Sequence, residues 1–163
     1  MEALIAAVWP YGWRLAYAVL GDRAAAEDVA QEAALAMMRG LPALRDDARF
    51  ASWFSRIVVR CALRSRRAGV FEIPGDVERA VSGDAFAAAE QRVDLRAAAR
   101  RLTRRERAAL YLAASGYTGR EIGAAMDVVP GTARVVLFMA RRKLRVALAE
   151  GAAPRAPREV HVL

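Results

Sequence analysis

YTGREIGAAMDVVPGTARVVLFMARRKLR, residues 117–145, is the stretch from which the fold is read. Thr118 and Glu121 stand at the spacing of a capping box. In that device the threonine hydroxyl accepts a backbone N–H of the first turn while the glutamate reaches back to the cap. The short helix that follows carries Ile122, Ala125 and Met126 on one face. Asp127-Val128-Val129 makes the turn, and Pro130 suits the first position of the next helix, where its missing N–H has no partner to lose. That helix runs to about residue 148 and is basic toward its C-terminal end, at Arg141, Arg142, Lys143 and Arg145. A short helix, a tight turn and a longer basic helix are the parts of a helix-turn-helix that enters the major groove. A packed helical hairpin with a solvated Arg-rich face has the same parts, so the remainder of the chain has to decide.

Outward from this motif the pattern stays helical. Apolar residues recur at three and four, no strand alternation appears, and the fold class read from the sequence is all-α. A first helix covers roughly 3–20, bent or restarted at Pro10, and Gly21 ends it. Asp22 caps a second helix over roughly 23–40, which Gly40 and Pro42 stop. Residues 41–48 form a loop with the acidic pair Asp46-Asp47. In a third helix, roughly 49–67, Phe50, Trp53, Phe54, Ile57, Val58 and Cys61 make one apolar stripe, and Arg49, Arg56, Arg60, Arg64 and Arg67 occupy the other side. Residues 68–89 contain Gly69, Pro74, Gly75 and Gly83 and read as a flexible acidic linker, in which Phe71, Ile73 and Phe86 are apolar enough to dock. A helix over about 91–101 follows, and Thr103 with Glu106 forms a second capping box for a helix ending near Gly116. The expected organisation is therefore two small helical domains, 1–67 and 90–150, joined by the linker 68–89, with a disordered tail at 151–163.

Charge separates these parts. The chain carries 26 Lys+Arg against 18 Asp+Glu, a net +8, and Lys143 is its only lysine. Residues 1–67 hold ten Arg and seven acids, 68–90 one Arg and five acids, and 91–150 thirteen cations and five acids. Two basic blocks flank an acidic segment, the layout of a chain with a polyanionic partner or of one with a solvated basic surface. Cys61 is the only cysteine and lies on an apolar stripe, so no internal disulfide forms and a core role is expected. Pro10, Gly12 and Arg14 interrupt the apolar N-terminus, which suits neither a signal peptide nor a membrane span, and a cytoplasmic protein is expected. The only histidine is His161, and there is no ligand-spaced His or Cys pair, glycine-rich phosphate loop or nucleophile elbow. Neither an enzyme nor a bound metal or cofactor is expected.

Three stretches, LGDRAAAEDVAQEA (20–33), RFASWFSRIVVRCALRSRR (49–67) and LTRRERAALYLAASGYTGREIGAAMDVVPGTARVVLFMARRKLR (102–145), together resemble the bacterial extracytoplasmic-function sigma factors, small two-domain promoter-recognition subunits of RNA polymerase. The resemblance covers most of 10–148, in the family's order and spacing. It implies that Asp28, Gln31 and Glu32, which share a helical face, dock on core RNA polymerase. It implies that the loop 44–49, with Asp46, Asp47 and Arg49, and the guanidinium file Arg56, Arg60 and Arg64 open and read the minus-ten element of promoter DNA. It implies that the N-terminal end of helix 130–148 reads the minus-thirty-five element, with Thr132 and Arg134 toward DNA and Arg141, Arg142, Lys143 and Arg145 toward phosphate or solvent. An anti-sigma factor is a further implied partner.

Two departures from the family stand out. Val129 occupies the cap position where the family carries Ser or Thr, and loss of such a cap costs about 1 kcal/mol. Ala133, Leu137, Ala140 and Leu144 form the expected core stripe of the last helix, which leaves Val135, Val136, Phe138 and Met139 outside it. That apolar outer face suits an anti-sigma partner, docking onto the first domain, or weakened DNA reading. Beside the sigma-factor reading stand two others: a helix-turn-helix transcription regulator without polymerase docking, and a sigma-like protein-interaction module.

Overall fold

The computed structural model describes residues 2–66, 95 and 97–151. The linker 68–89 with its apolar residues, Arg67, most of the helix expected before 101, and the tail with His161 lie outside the described residues. Among the described residues the chain is helical and contains no strand: α1 (Glu2–Leu20), α2 (Arg23–Gly40), α3 (Phe50–Arg64), α4 (Arg104–Ala114), α5 (Gly119–Met126) and α6 (Pro130–Gly151). Residues 97–100 are also helical.

The punctuation falls where local chemistry demands it. Gly21 takes the left-handed conformation (φ 68) between α1 and α2, and the Asp22 carboxylate accepts the Ala25 N–H at 2.6 Å as the N-cap of α2. Both capping boxes close in full, Thr103 with Glu106 on α4 and Thr118 with Glu121 on α5. The expected break at Pro10 is absent, and α1 runs through it. Pro10 and Ala6 are both exposed, so the ring and the carbonyl left without a helical donor sit on the solvent side. The loop 41–48 is more ordered than its composition suggests, with 3-10 turns at Leu41–Ala43 and Asp47–Arg49. α3 stops at Arg64, three residues early, because Ser65 turns to ψ 126.

One continuous core joins the N-terminal and C-terminal helices, running from Leu15, Val29, Met37 and Val58 through to Leu112, Ile122 and Ala133. Each Leu, Val, Ile or Met side chain among them contributes about 1.5–3 kcal/mol on leaving water. The predicted stripe of α3 is buried or half-buried along its whole length. A second stripe, Ser55, Val59 and Ala62, is fully buried as well. α3 is therefore covered on two sides, by α1 and α2 on one and by α5 on the other, and the side that carries the arginines is partly covered. By length and composition α1 could cross a membrane (mean hydropathy 1.2), but its C-terminal half, Leu15, Ala16, Val19 and Leu20, is spent in this core.

Candidate nucleic-acid interface

The surface of α2 divides by residue size. Ala25, Ala26, Val29, Ala30, Ala33, Ala34 and Met37 face inward, and their small side chains let α1 and α3 approach. Asp28, Gln31 and Glu32 are all exposed on the outer face, and Leu35, 53% exposed, continues the same strip one turn on. The strip combines charge with one apolar side chain, the composition of a docking surface, and Leu35 went unnoticed in the sequence. Glu32 lies 3.6 Å from the Arg64 guanidinium, an exposed pair worth at most about 1 kcal/mol. Behind it Cys61 is buried, and burial first, then the Glu32 carboxylate, pushes its thiol above its usual value.

At the other end of α3 the 3-10 turn Asp47–Arg49 is capped by Asp46, whose carboxylate accepts the Ala48 N–H at 3.0 Å and pairs with Arg49 Nε at 3.0 Å. Asp47 is exposed on the same turn. Asp46 and Arg49, but not Asp47, line an open hollow of about 470 Å³ whose other walls include Leu44, Arg45 and Trp53. An indole wall beside a carboxylate and two guanidiniums can stack an unpaired base and hold its phosphates. Trp53 was read only as core. It is half-buried, and its other half forms this wall.

The arginine file has several environments. Arg49 is exposed at the hollow. Arg56 is half-buried, and its Nε is buried with no hydrogen-bond partner among the described residues. Arg60 reaches the C-terminal helices, donating to Asp127 Oδ1 at 3.2 Å and to the Ala124 carbonyl at 3.4 Å. Arg64 lies between Glu32 and the Cys61 sulfur.

The helix-turn-helix has the expected parts. α5 and α6 meet at 97°, within the range of DNA-reading motifs of this type. The turn is tight because a side chain is missing: a Cβ on Gly123 would lie 2.8 Å from the Val128 carbonyl oxygen. Asp127 ends α5 in the left-handed conformation (φ 59, ψ 46), where it meets Arg60. Val129 supplies no side-chain cap to α6 and is exposed, although its carbonyl accepts the Ala133 N–H at 3.1 Å. Thr132, Arg134, Arg141, Arg142 and Arg145 are all exposed. The Arg134 stem crosses the start of α5, with Cγ 3.6 Å from where a Gly119 Cβ would stand. Lys143 turns inward instead and pairs with Glu106 at 2.8 Å. The core stripe is Ala133, Ala140 and Ala147, with Leu137 and Leu144 half-buried. Val136 also packs on the core, contrary to its expected outward position, while Val135 (62%) and Phe138 (61%) are exposed.

Polar contacts tie the two ends of the chain together. The Ser55 hydroxyl lies 2.6 Å from Tyr11 Oη and 2.7 Å from Tyr117 Oη. Arg107 donates to the Val19 carbonyl at the end of α1 at 2.7 Å, and burial draws its guanidinium down to about 10, still charged at neutral pH. None of these partnerships carries a local signal in the sequence.

Residues 4–70 match the family model for Sigma-70 region 2. The whole chain is similar in fold to the sigma factor RpoE from Bartonella quintana, solved in complex with the anti-sigma factor NepR. The TM-score is 0.65 at 18% sequence identity, over 94% of this chain and 98% of that one. No curated protein matches the chain.

Proposed function

We propose that the chain, whose residues 4–70 match sigma-70 region 2, is a sigma factor of the extracytoplasmic-function class that directs RNA polymerase to promoters and helps open them. In this reading residues 1–67 dock on core polymerase through Asp28, Gln31, Glu32 and Leu35 and act on the minus-ten element. The hollow beside Asp46, Arg49 and Trp53 receives a flipped base. Residues 90–150 read the minus-thirty-five element through the start of α6. The protein is a non-enzymatic subunit that works beside polymerase in the cytoplasm. RpoE of Bartonella quintana was solved in complex with an anti-sigma factor, and a regulatory partner of that kind is part of the proposal.

The observation that carries this reading is one chain with two separate surfaces: a mixed acidic and apolar strip on α2, and a helix-turn-helix whose last helix has no acid before Glu150. The test is reconstitution. The protein mixed with core polymerase should co-elute and support promoter-dependent transcription. The double variant Asp28→Lys, Glu32→Lys should lose both while keeping its helical circular dichroism, because these side chains are exposed. Full co-elution of that variant overturns the docking assignment.

A further inference from the structure

We propose that α6 selects its DNA site by apolar contact with thymine methyl groups, through Val135 and Phe138. This inference rests on the reading of α6 as the upstream-element helix and names the chemistry of that contact. The buried side of α6 is marked by Ala133, Ala140 and Ala147. At 100° per residue, the side chains opposite that stripe in the first turns are Gly131, Val135 and Phe138, with Thr132 and Arg134 at the margins. Gly131 has no side chain, and a Cβ there would meet nothing within 4 Å. The groups aimed most directly outward from the groove-entering end are therefore a valine and a phenylalanine, 62% and 61% exposed.

Such a pair is costly on a surface facing only water, and a protein partner and a DNA groove would each cover it. The surrounding charge favours DNA. Arg134, Arg141, Arg142 and Arg145 are all exposed along the same helix, and no acid interrupts them before Glu150, which is tied to Arg101. A basic frame around an apolar centre matches phosphates around the one apolar group in the major groove, the thymine C5 methyl. Val135 and Phe138 are about 4.5 Å apart along the axis, at 1.5 Å per residue. A base-pair step is about 3.4 Å, so the two side chains meet neighbouring pairs.

The test uses holoenzyme assembled from core polymerase and the full chain. A duplex library randomised across the upstream element is selected for binding. Each thymine in the enriched sequence is then replaced singly by deoxyuridine, which removes only the methyl. Wild-type holoenzyme should lose about fourfold in affinity at one or two adjacent positions, the value of one buried methyl-sized group. Holoenzyme with Val135→Ala or Phe138→Ala should bind the thymine and deoxyuridine duplexes alike at the corresponding position. Equal binding of both duplexes by wild type at every position overturns the inference and leaves the stripe to a protein partner. A deoxyuridine loss that persists when Val135→Ala and Phe138→Ala are combined overturns it too. Selection that enriches no upstream sequence at all overturns the promoter reading itself, and this inference with it. The deoxyuridine arm uses unaltered protein, so it does not depend on how the variants fold.

Discussion

Glu106 closes the capping box of α4 and, with the same carboxylate, holds Lys143 of α6 at 2.8 and 3.1 Å. Burial raises its pKa, but the hydrogen bond from Lys143, the Thr103 N–H and the ammonium charge outweigh burial, and the carboxyl is held below its ordinary value of 4.5. A carboxyl whose pKa is lower folded than unfolded stabilises fully above the unfolded value. That stabilisation is lost as pH falls through the folded one. Lys143→Ala strips this group, only 7% exposed, of its cation, and the expected cost at neutral pH is about 1–3 kcal/mol. The variant's stability should also fall less steeply than wild type below pH 4.5. Urea denaturation across pH reads both effects, and coincident wild-type and variant curves overturn the assignment. The box itself was legible because its two residues lie three apart. The pairing was not. Lys143 lies 37 positions from Glu106, and an exposed-looking basic run gives no sign that one member turns inward.

At the scale of elements, strong periodic signals were read and weak ones were lost. The aromatic and aliphatic stripe of α3 stood out because large side chains recur at three and four. The Ser55, Val59 and Ala62 stripe did not, because two of its members are small and the helix that covers it comes some sixty residues later. In α6 the sequence placed Ala133 and Ala140 on the core stripe and left out Ala147. Ala133, Ala140 and Ala147 repeat every seven residues and are 1%, 0% and 7% exposed, so methyl groups line the most deeply buried seam of α6, with Val136 and Leu137 packing beside it. Ala140→Leu should therefore overpack this seam and cost about 1–3 kcal/mol. Phe138→Ala on the opposite side should stay within about 0.5 kcal/mol. Thermal melts of the two variants separate the faces, and a Phe138→Ala melt as depressed as that of Ala140→Leu would place Phe138 in the core.

For the whole molecule, the proposed function requires the packed helices to come apart. Elements at minus ten and minus thirty-five lie roughly 25 base pairs, hence roughly 85 Å, apart at 3.4 Å per pair. α6, the longest helix among the described residues at 22 residues, spans about 33 Å at 1.5 Å per residue. Whether the two ends pack together could not be read from the sequence, since Tyr11, Ser55 and Tyr117 come from three distant places and hydroxyl contacts follow no period. Their chemistry nevertheless gives a handle on opening. Burial first, then the Tyr117 hydroxyl, raises the Tyr11 phenol above its usual 10.0 despite the opposing Ser55 hydrogen bond. A released Tyr11 ionises near 10.0 while a packed one keeps its proton, so the packed state binds more protons and weakens as pH rises past that value. Fluorophores on Ala7→Cys and Ala149→Cys, both exposed sites, report the separation, and buried Cys61 resists labelling. Energy transfer should fall between about pH 9 and 11, around the ordinary tyrosine pKa. Tyr11→Phe should flatten that fall, and adding core polymerase at neutral pH should lower transfer in both proteins. If wild type and Tyr11→Phe give the same alkaline curve, the hydroxyl cluster does not hold the ends together, and the packing of α3 against α5 and of α1 against α4 does so without it.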